Sequence, residues 1–328
     1  MKIIFMGTPE FALPSLKTLL NSRHQVIAVV TAPDKPAGRG KKLRFSAVKQ
    51  AALEAGLPVM QPALLKEEGF VRQLRSFGAD LFVVVAFRIL PPPVFTMPPL
   101  GTINLHASLL PKYRGAAPIS WAIMNGETTT GVTTFFIEEK VDTGQILLQR
   151  QTPIAADMTS GELHDELAIV GAEVLMETVE GIDRETLKPV AQTGGVTAAP
   201  KLTPDLEQID WSQSAAIIHN RIRGLSPIPG CHTYWGGKRL KILRSRVIAS
   251  IGVGKGTAGE IVAVGKDGLL QVQTGAGTIA LLELQPEGKR AMPAAEFLRG
   301  YLLKAGDVLM NRATGRIVQP RLNDFSRP

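Results

Sequence analysis

Lys2-Ile3-Ile4-Phe5-Met6-Gly7-Thr8-Pro9-Glu10-Phe11 opens the chain with a short apolar run that stops at a glycine and passes into the helical spacing of Phe11–Leu20. A run of this length, closed by Gly and followed by a helical pattern, reads as a buried strand, a turn and a helix. The same grammar repeats outward from it. Val26–Val30, Leu81–Ala86 and Thr102–Leu105 are compact apolar or β-branched runs, and Ala47–Ala55 and Phe70–Phe77 have helical spacing. Strands alternating with helices predict parallel βαβ units, hence an α/β domain with a Rossmann-like doubly wound sheet. Gly131–Ile137 and Gln145–Ile154 add two strands. A long amphipathic helix then runs from Thr159 to about Val179, with Thr159 as N-cap and Glu162 three residues on, the pattern of a capping box.

Between about Gly181 and Asp205 the periodicity fades into Gln192-Thr193-Gly194-Gly195, with Pro200 and Pro204 beyond, and a linker is expected there. The domain reading is 1–187, a connecting segment 188–205, and a second domain 206–328. The second domain has another grammar: one helical stretch, Ser214–Leu225, then Thr233–Trp235, Arg239–Ile248, Gly259–Val264, Leu269–Thr274 and Thr278–Leu284 as closely spaced strands. Their turns are Gly236-Gly237, Lys266-Asp267-Gly268 and Gly275-Ala276-Gly277. Five short strands predict a small β-barrel of the oligonucleotide-binding (OB) type. Pro293–Ala305 has the spacing of a closing helix.

The 328 residues suffice for two cores, and 45% hydrophobic with 20% charged residues excludes disorder and low-complexity classes. One cysteine, Cys231, forms no internal disulfide and reads as a packed core residue; clusters at metal-ligand spacing are missing, so no metal is expected. No stretch reaches the roughly 18 apolar residues of a membrane span. The first strand begins almost at residue 1, leaving no room for a targeting peptide, which predicts a bacterial cytoplasm.

Net charge is +8 and unevenly placed. Residues 1–187 carry 18 Lys/Arg against 19 Asp/Glu, whereas residues 188–328 carry 19 against 10. Residues 1–50 alone hold nine basic and two acidic side chains. This asymmetry suits a polyanionic partner, and a basic surface kept for solubility is the alternative.

Three motifs bear on chemistry. At the Gly7-Thr8-Pro9-Glu10-Phe11 turn, a dinucleotide fold would place Gly-x-Gly-x-x-Gly, but Pro9 and Ala12 occupy the second and third glycine positions, which disfavours a nicotinamide or flavin dinucleotide. The stretch Pro33–Arg44 fails the spacing of a nucleotide-binding P-loop. It remains a flexible loop with Lys35, Arg39, Lys41, Lys42 and Arg44, suited to phosphate backbones. The strongest signal is Asn104-Leu105-His106-Ala107-Ser108-Leu109-Leu110-Pro111-Lys112-Tyr113-Arg114-Gly115. Strand alternation puts Asn104 and His106 on one face at a carboxyl end, where open α/β sheets hold ligands, and an amide beside an imidazole suits a developing oxyanion. Asp142-Thr143-Gly144 follows a strand and supplies a carboxylate able to orient or move a proton. An aspartic protease needs two such carboxylates on another fold, and only one Asp-Thr-Gly is present.

Together, Asn104-x-His106, Ser108–Pro111, Arg114-Gly115 and Asp142-x-Gly144 resemble the folate-dependent formyltransferases, and the Gly7-Thr8-Pro9-Glu10-Phe11 start, the Pro36–Leu43 loop and the basic second domain extend the resemblance over nearly the whole chain. The resemblance implies a formyltransferase domain followed by a basic tRNA-binding domain, with 10-formyltetrahydrofolate as formyl donor and methionine carried on initiator tRNA as acceptor. It implies that Asn104, His106 and Asp142 are catalytic and that the folate lies against Ser108, Leu109, Leu110 and Pro111, with free backbone groups nearby. Arg39, Lys41, Lys42, Lys238, Arg239, Lys241, Arg244 and Arg246 are the expected tRNA contacts, and a monomer is expected. Ala86-Phe87-Arg88 departs from the Ala-Tyr-Gly common in relatives. Formyl transfer to a small amine such as an amino sugar is the runner-up, ahead of an inactive RNA-binding protein or a dehydrogenase.

Overall fold

The structure is a computed structural model describing residues 1–37, 42–248, 256–265 and 269–310. Along the first 200 residues run β1 (Lys2–Gly7), β2 (Gln25–Val30), β3 (Lys35–Ala37), β4 (Lys42–Arg44), β5 (Val59–Met60), β6 (Leu81–Val85), β7 (Thr102–His106), β8 (Arg114–Gly115), β9 (Thr129–Phe136), β10 (Ile146–Pro153) and β11 (Ala198–Ala199). Seven of them form one sheet in the order β10-β9-β7-β6-β1-β2-β5. The five strands from β7 to β5 are parallel, and β9 and β10 add an antiparallel edge. From β1 the chain builds outward through β2 and β5, then returns to lay β6 and β7 on the other side. The order therefore reverses between β1 and β6, the kind of position at which open α/β sheets hold ligands against the carboxyl ends of their strands.

The central parallel strands β1, β2 and β6 are apolar and buried along most of their length, as strands covered on both faces are. On one face Ile4, Met6, Ala28, Val30, Phe82 and Val84 pack with Phe70 and Leu74 of α3 (Glu68–Ser76). Phe70 and Leu74 lie four residues apart, so one helix face carries both, and each buried side chain contributes about 1.5–3 kcal/mol. Gly7 ends β1 where an added Cβ would meet the Phe5 ring at 2.8 Å and the Ala12 Cβ at 2.9 Å. The first turn is thus required for packing. Its Thr8 hydroxyl accepts from the Ala32 N–H, tying β1 to the end of β2. Within the basic stretch β3 and β4 pair antiparallel, and residues 38–41, where the expected flexible loop falls, lie outside the described residues.

Helix α6 (Ser160–Asp183) starts in the capping box read from the sequence: the Glu162 carboxylate accepts from the Thr159 N–H at 2.8 Å and the Thr159 hydroxyl accepts from the Glu162 N–H at 3.3 Å.

Contact density divides the chain into two units, Met1–Pro118, Thr129–Pro153 and His164–Pro200 in one, and Ile119–Thr128, Ile154–Leu163 and Lys201–Pro328 in the other. The second unit holds β12 (Cys231–Trp235), β13 (Lys238–Ile248), β14 (Ile261–Val264), β15 (Leu270–Gln273), β16 (Thr278–Pro286) and β17 (Met292–Pro293). They form an antiparallel sheet in the order β12-β13-β16-β15-β14, with β17 beside β16. Its core gathers Trp211, Ile218, Ile222, Leu240, Ile242, Leu281 and Phe297. Cys231 is fully buried in that core, and burial pushes its thiol up to about 12, so it is inert. The closing helix, Ala294–Gly300, stops earlier than its sequence pattern suggests. No helix among the described residues is long and apolar enough to cross a membrane.

Candidate active site

Strand β7 places the central pair. Ile103 and Leu105 are buried on one face, so alternation carries Asn104 and His106 to the other. The Asn104 amide is half-buried and has no side-chain partner among the described residues. His106 Nε2 lies 2.8 Å from the Tyr113 carbonyl, which can only accept, so Nε2 carries the proton and Nδ1 is the nitrogen left for other partners. Nδ1 faces Asp142 Oδ2 at 3.8 Å, with the two side chains 7% and 11% exposed. The same Oδ2 accepts from the Gly115 N–H at 2.8 Å. The structure therefore brings His106 and Asp142 together, although 36 residues separate them in the sequence.

Left-handed backbone gathers at this place. Ala86 at the end of β6, Tyr113 and Asp142 have φ of 48°, 59° and 56°. Non-glycine residues rarely adopt this region, and such residues cluster at functional sites. Gly144 follows because a Cβ there would lie 1.7 Å from the Phe136 carbonyl oxygen. The Asp-x-Gly spacing thus has a steric cause: Asp142 turns the loop, and Gly144 lets it cross the end of β9.

The Ser108–Pro111 loop is held by hydrogen bonds of its own. The Ser108 hydroxyl donates to the Lys112 carbonyl at 2.6 Å, and the Ser108 carbonyl accepts from Thr133 Oγ1. The Leu110 N–H donates to Thr133, and the Leu110 carbonyl accepts from Gln149 Nε2 at 2.9 Å. Ser108 and Leu110 are buried in shaping the loop, whereas Leu109 and Pro111 stay half-exposed. Thr133 and Gln149 were invisible as site residues in the sequence. Their one signal is a polar residue at a buried position of β9 in the case of Thr133. At the departure from the family pattern, Arg88 donates to the carbonyls of Pro62 and Ala63 at 2.8 and 3.0 Å, and burial lowers its pKa.

The basic candidates divide. Arg39 and Lys41 lie outside the described residues, and Lys42 is placed as backbone in β4. On β13, Lys238 is exposed with no carboxylate partner among the described residues. Arg239 donates to Glu207 at 2.9 Å and also meets His232 Nδ1 at 3.0 Å. Lys241 donates to the Pro229 carbonyl, Arg244 pairs with Glu162, and Arg246 lies 3.4 Å from Asp157. Three of the five basic side chains on this strand are therefore met by carboxylates of their own unit. An open depression of about 530 Å³, lined by Thr18, Met176, Glu180, Arg184 and Leu187 among others, includes none of the strand-end residues. Among the described residues no group of three or more His, Cys, Asp or Glu is placed to hold a metal ion.

The formyl transferase family model matches residues 1–179, and the formyl transferase C-terminal domain matches residues 201–302. A methionyl-tRNA formyltransferase of Moorella thermoacetica is 47% identical over 311 residues, covering 94% of this chain and 99% of the relative. Its counterpart in Trichlorobacter lovleyi is 48% identical over 311 residues, 94% of this chain and 97% of that one. Among solved structures, HypX from Aquifex aeolicus in complex with tetrahydrofolic acid shares the fold at TM-score 0.63 and 19% identity, covering 95% of this chain and 51% of that one. With its first domain matched across the strand-end cluster and its second matched separately, this chain belongs to the formyl transferase family.

Proposed function

We infer that the protein transfers the formyl group of 10-formyltetrahydrofolate to the α-amino group of methionine on initiator tRNA, giving N-formylmethionyl-tRNA. The observation that carries the acceptor is the likeness to methionyl-tRNA formyltransferases along 94% of the chain, second domain included. The strand-end cluster alone serves equally a formyltransferase acting on an amino sugar or another small amine.

In the reaction the amine nitrogen attacks the formyl carbon, the carbonyl oxygen gains negative charge, the bond from carbon to the folate nitrogen breaks, and one proton passes from the amine to that nitrogen. Asn104, whose amide has no partner among the described residues, donates to the formyl oxygen. His106, held by Tyr113 through Nε2, offers Nδ1 to the crevice and carries the proton while charge builds. Asp142, fixed by the Gly115 N–H, orients His106 and stabilises its charge. The folate, a co-substrate, fits a crevice that offers the half-exposed Leu109 and Pro111 as apolar surface. Ser108 and Leu110 act beneath them by holding the loop in shape.

The tRNA meets the basic loop through Arg39, Lys41 and Lys42, and the second domain through Lys238, Arg239, Lys241, Arg244 and Arg246. Contact by the paired arginines exchanges a carboxylate partner for a phosphate, while Lys238 binds without such an exchange. Domains of 1–187 and 206–328 joined by 188–205, an OB-like curvature of the second sheet, a cytoplasmic location and a monomer complete the reading. The test is transfer of labelled formyl from 10-formyltetrahydrofolate to methionine on initiator tRNA, with charged elongator tRNA and a free amino sugar as parallel acceptors. Initiator-selective labelling is expected. Labelling of the amino sugar alone would replace the tRNA reading and leave the strand-end roles standing.

A further inference from the structure

Residues 188–200 lack hydrophobic periodicity, yet they are bonded along their length to the first unit. Val190 and Ile146 exchange both backbone hydrogen bonds, at 2.8 and 2.9 Å. The Gln192 amide makes four. Its Oε1 accepts from Arg114 Nε and Nη2 at 3.1 and 2.6 Å, and its Nε2 donates to the carbonyls of Asp142 and Gly144, both at 2.9 Å. Arg114 offers only donors and the carbonyls only accept, so the orientation of the amide is determined. Thr197 Oγ1 accepts from the Tyr113 N–H at 2.8 Å, and the Thr197 carbonyl accepts from the Arg114 N–H. Ala198 and Ala199 then pair with Arg114 and Gly115.

These bonds converge on the groups that hold the reacting pair. Asp142 and Tyr113, both left-handed, each receive one. Tyr113 in turn presents its carbonyl to His106. Gly115, whose N–H holds the Asp142 carboxylate, has φ of +126°, and a Cβ there would lie 2.6 Å from the Ala199 oxygen. Arg114 and Gly115 are thereby explained as the residues on which this segment closes.

We propose that residues 190–199 form a strap that sets the geometry of Asp142 and His106, and that Gln192 is its positioning residue for formyl transfer. The proposal rests on the role of Asp142 given above. Gln192 touches no reacting atom and acts by fixing the 142–144 loop. A displacement of about 1 Å at such a group can cost about a hundredfold in rate.

The test uses the full chain as Gln192→Ala, Gln192→Glu, Asp142→Ala and the double variant Gln192→Ala/Asp142→Ala. Turnover, the KM for 10-formyltetrahydrofolate, the KM for charged initiator tRNA and the melting temperature are measured for each. Gln192→Glu keeps the acceptor for Arg114 and loses only the donors to the Asp142 and Gly144 carbonyls. Both single variants at 192 are expected to lower kcat by about 10- to 100-fold with either KM changed less than about twofold. On the Asp142→Ala background, Gln192→Ala is expected to add less than about twofold, because its effect passes through Asp142. Wild-type kcat in Gln192→Glu, multiplicative losses in the double variant, or a rise in KM alone would overturn the proposal. So would the collapse of folding in both variants at 192, which would make Gln192 structural. Full turnover in Asp142→Ala would instead remove the role of Asp142 itself, an outcome distinct from failure of the strap.

Discussion

Asp142→Asn isolates the charge of the site from its shape. Asparagine keeps an oxygen to accept the Gly115 N–H now 2.8 Å from Oδ2, and it tolerates the φ of 56° found at this position. What disappears is the negative charge 3.8 Å from His106 Nδ1. At an effective dielectric constant of about 20, unit charges at that separation attract by roughly 332/(20 × 3.8), or about 4 kcal/mol. The two side chains are 7% and 11% exposed, so solvent screens the pair little. About 1.4 kcal/mol corresponds to a tenfold change in rate, which sets a ceiling near a thousandfold. Because His106 carries only part of a charge in the transition state, a fall of about 10²–10³ in kcat is expected. Single-turnover transfer of labelled formyl to charged initiator tRNA measures it, with filter binding of the same tRNA as the control. Retention of more than about a tenth of wild-type turnover would refute the electrostatic role, as would a loss of tRNA affinity equal to the loss of rate.

Three further outcomes are expected. Gly144→Ala drives a methyl group to 1.7 Å from the Phe136 carbonyl, so the loop must lift Asp142 away; kcat should fall at least tenfold while tRNA affinity holds, and near-normal turnover would show that the loop position is unimportant. Glu180 sits at about 2 instead of 4.5, chiefly because Arg23 donates to its carboxylate. A carboxylate depressed on folding adds stability that is complete above about 4.5 and is lost as pH falls toward 2, so Glu180→Gln should flatten the acid loss of melting temperature across that window, and an unchanged acid limb would contradict it. For tRNA binding, each phosphate contact contributes a slope of about −0.9 in log affinity against log salt. Lys238→Ala should remove more of that slope than Arg239→Ala, whose guanidinium is already engaged by Glu207; the reverse order would show that Arg239 releases its partner readily.

Backbone periodicity and local chemistry are legible in the residue order alone. Apolar runs alternating with helical spacing yield the parallel-rich sheet, because a strand repeats every two residues and a helix every 3.6. Thr159 and Glu162 disclose the start of α6 because both halves of a capping box lie within one turn. Asn104 and His106 show a shared face for the same reason. The helix at Pro118–Met124 is not legible in the same way, because seven residues span too few turns to establish a period. The remaining contacts depend on how the folded chain brings distant residues together. Asp142 meets Gly115 across 27 positions, Gln192 meets Arg114 across 78, and Arg244 meets Glu162 across 82. Such partners are joined by the path of the chain through space, and a segment without periodicity, such as 188–200, announces none of them. Apart from the two bonds from the Arg114 side chain, its hydrogen bonds meet backbone carbonyls and N–H groups, which every residue carries alike, so little at the receiving end marks where the strap will land.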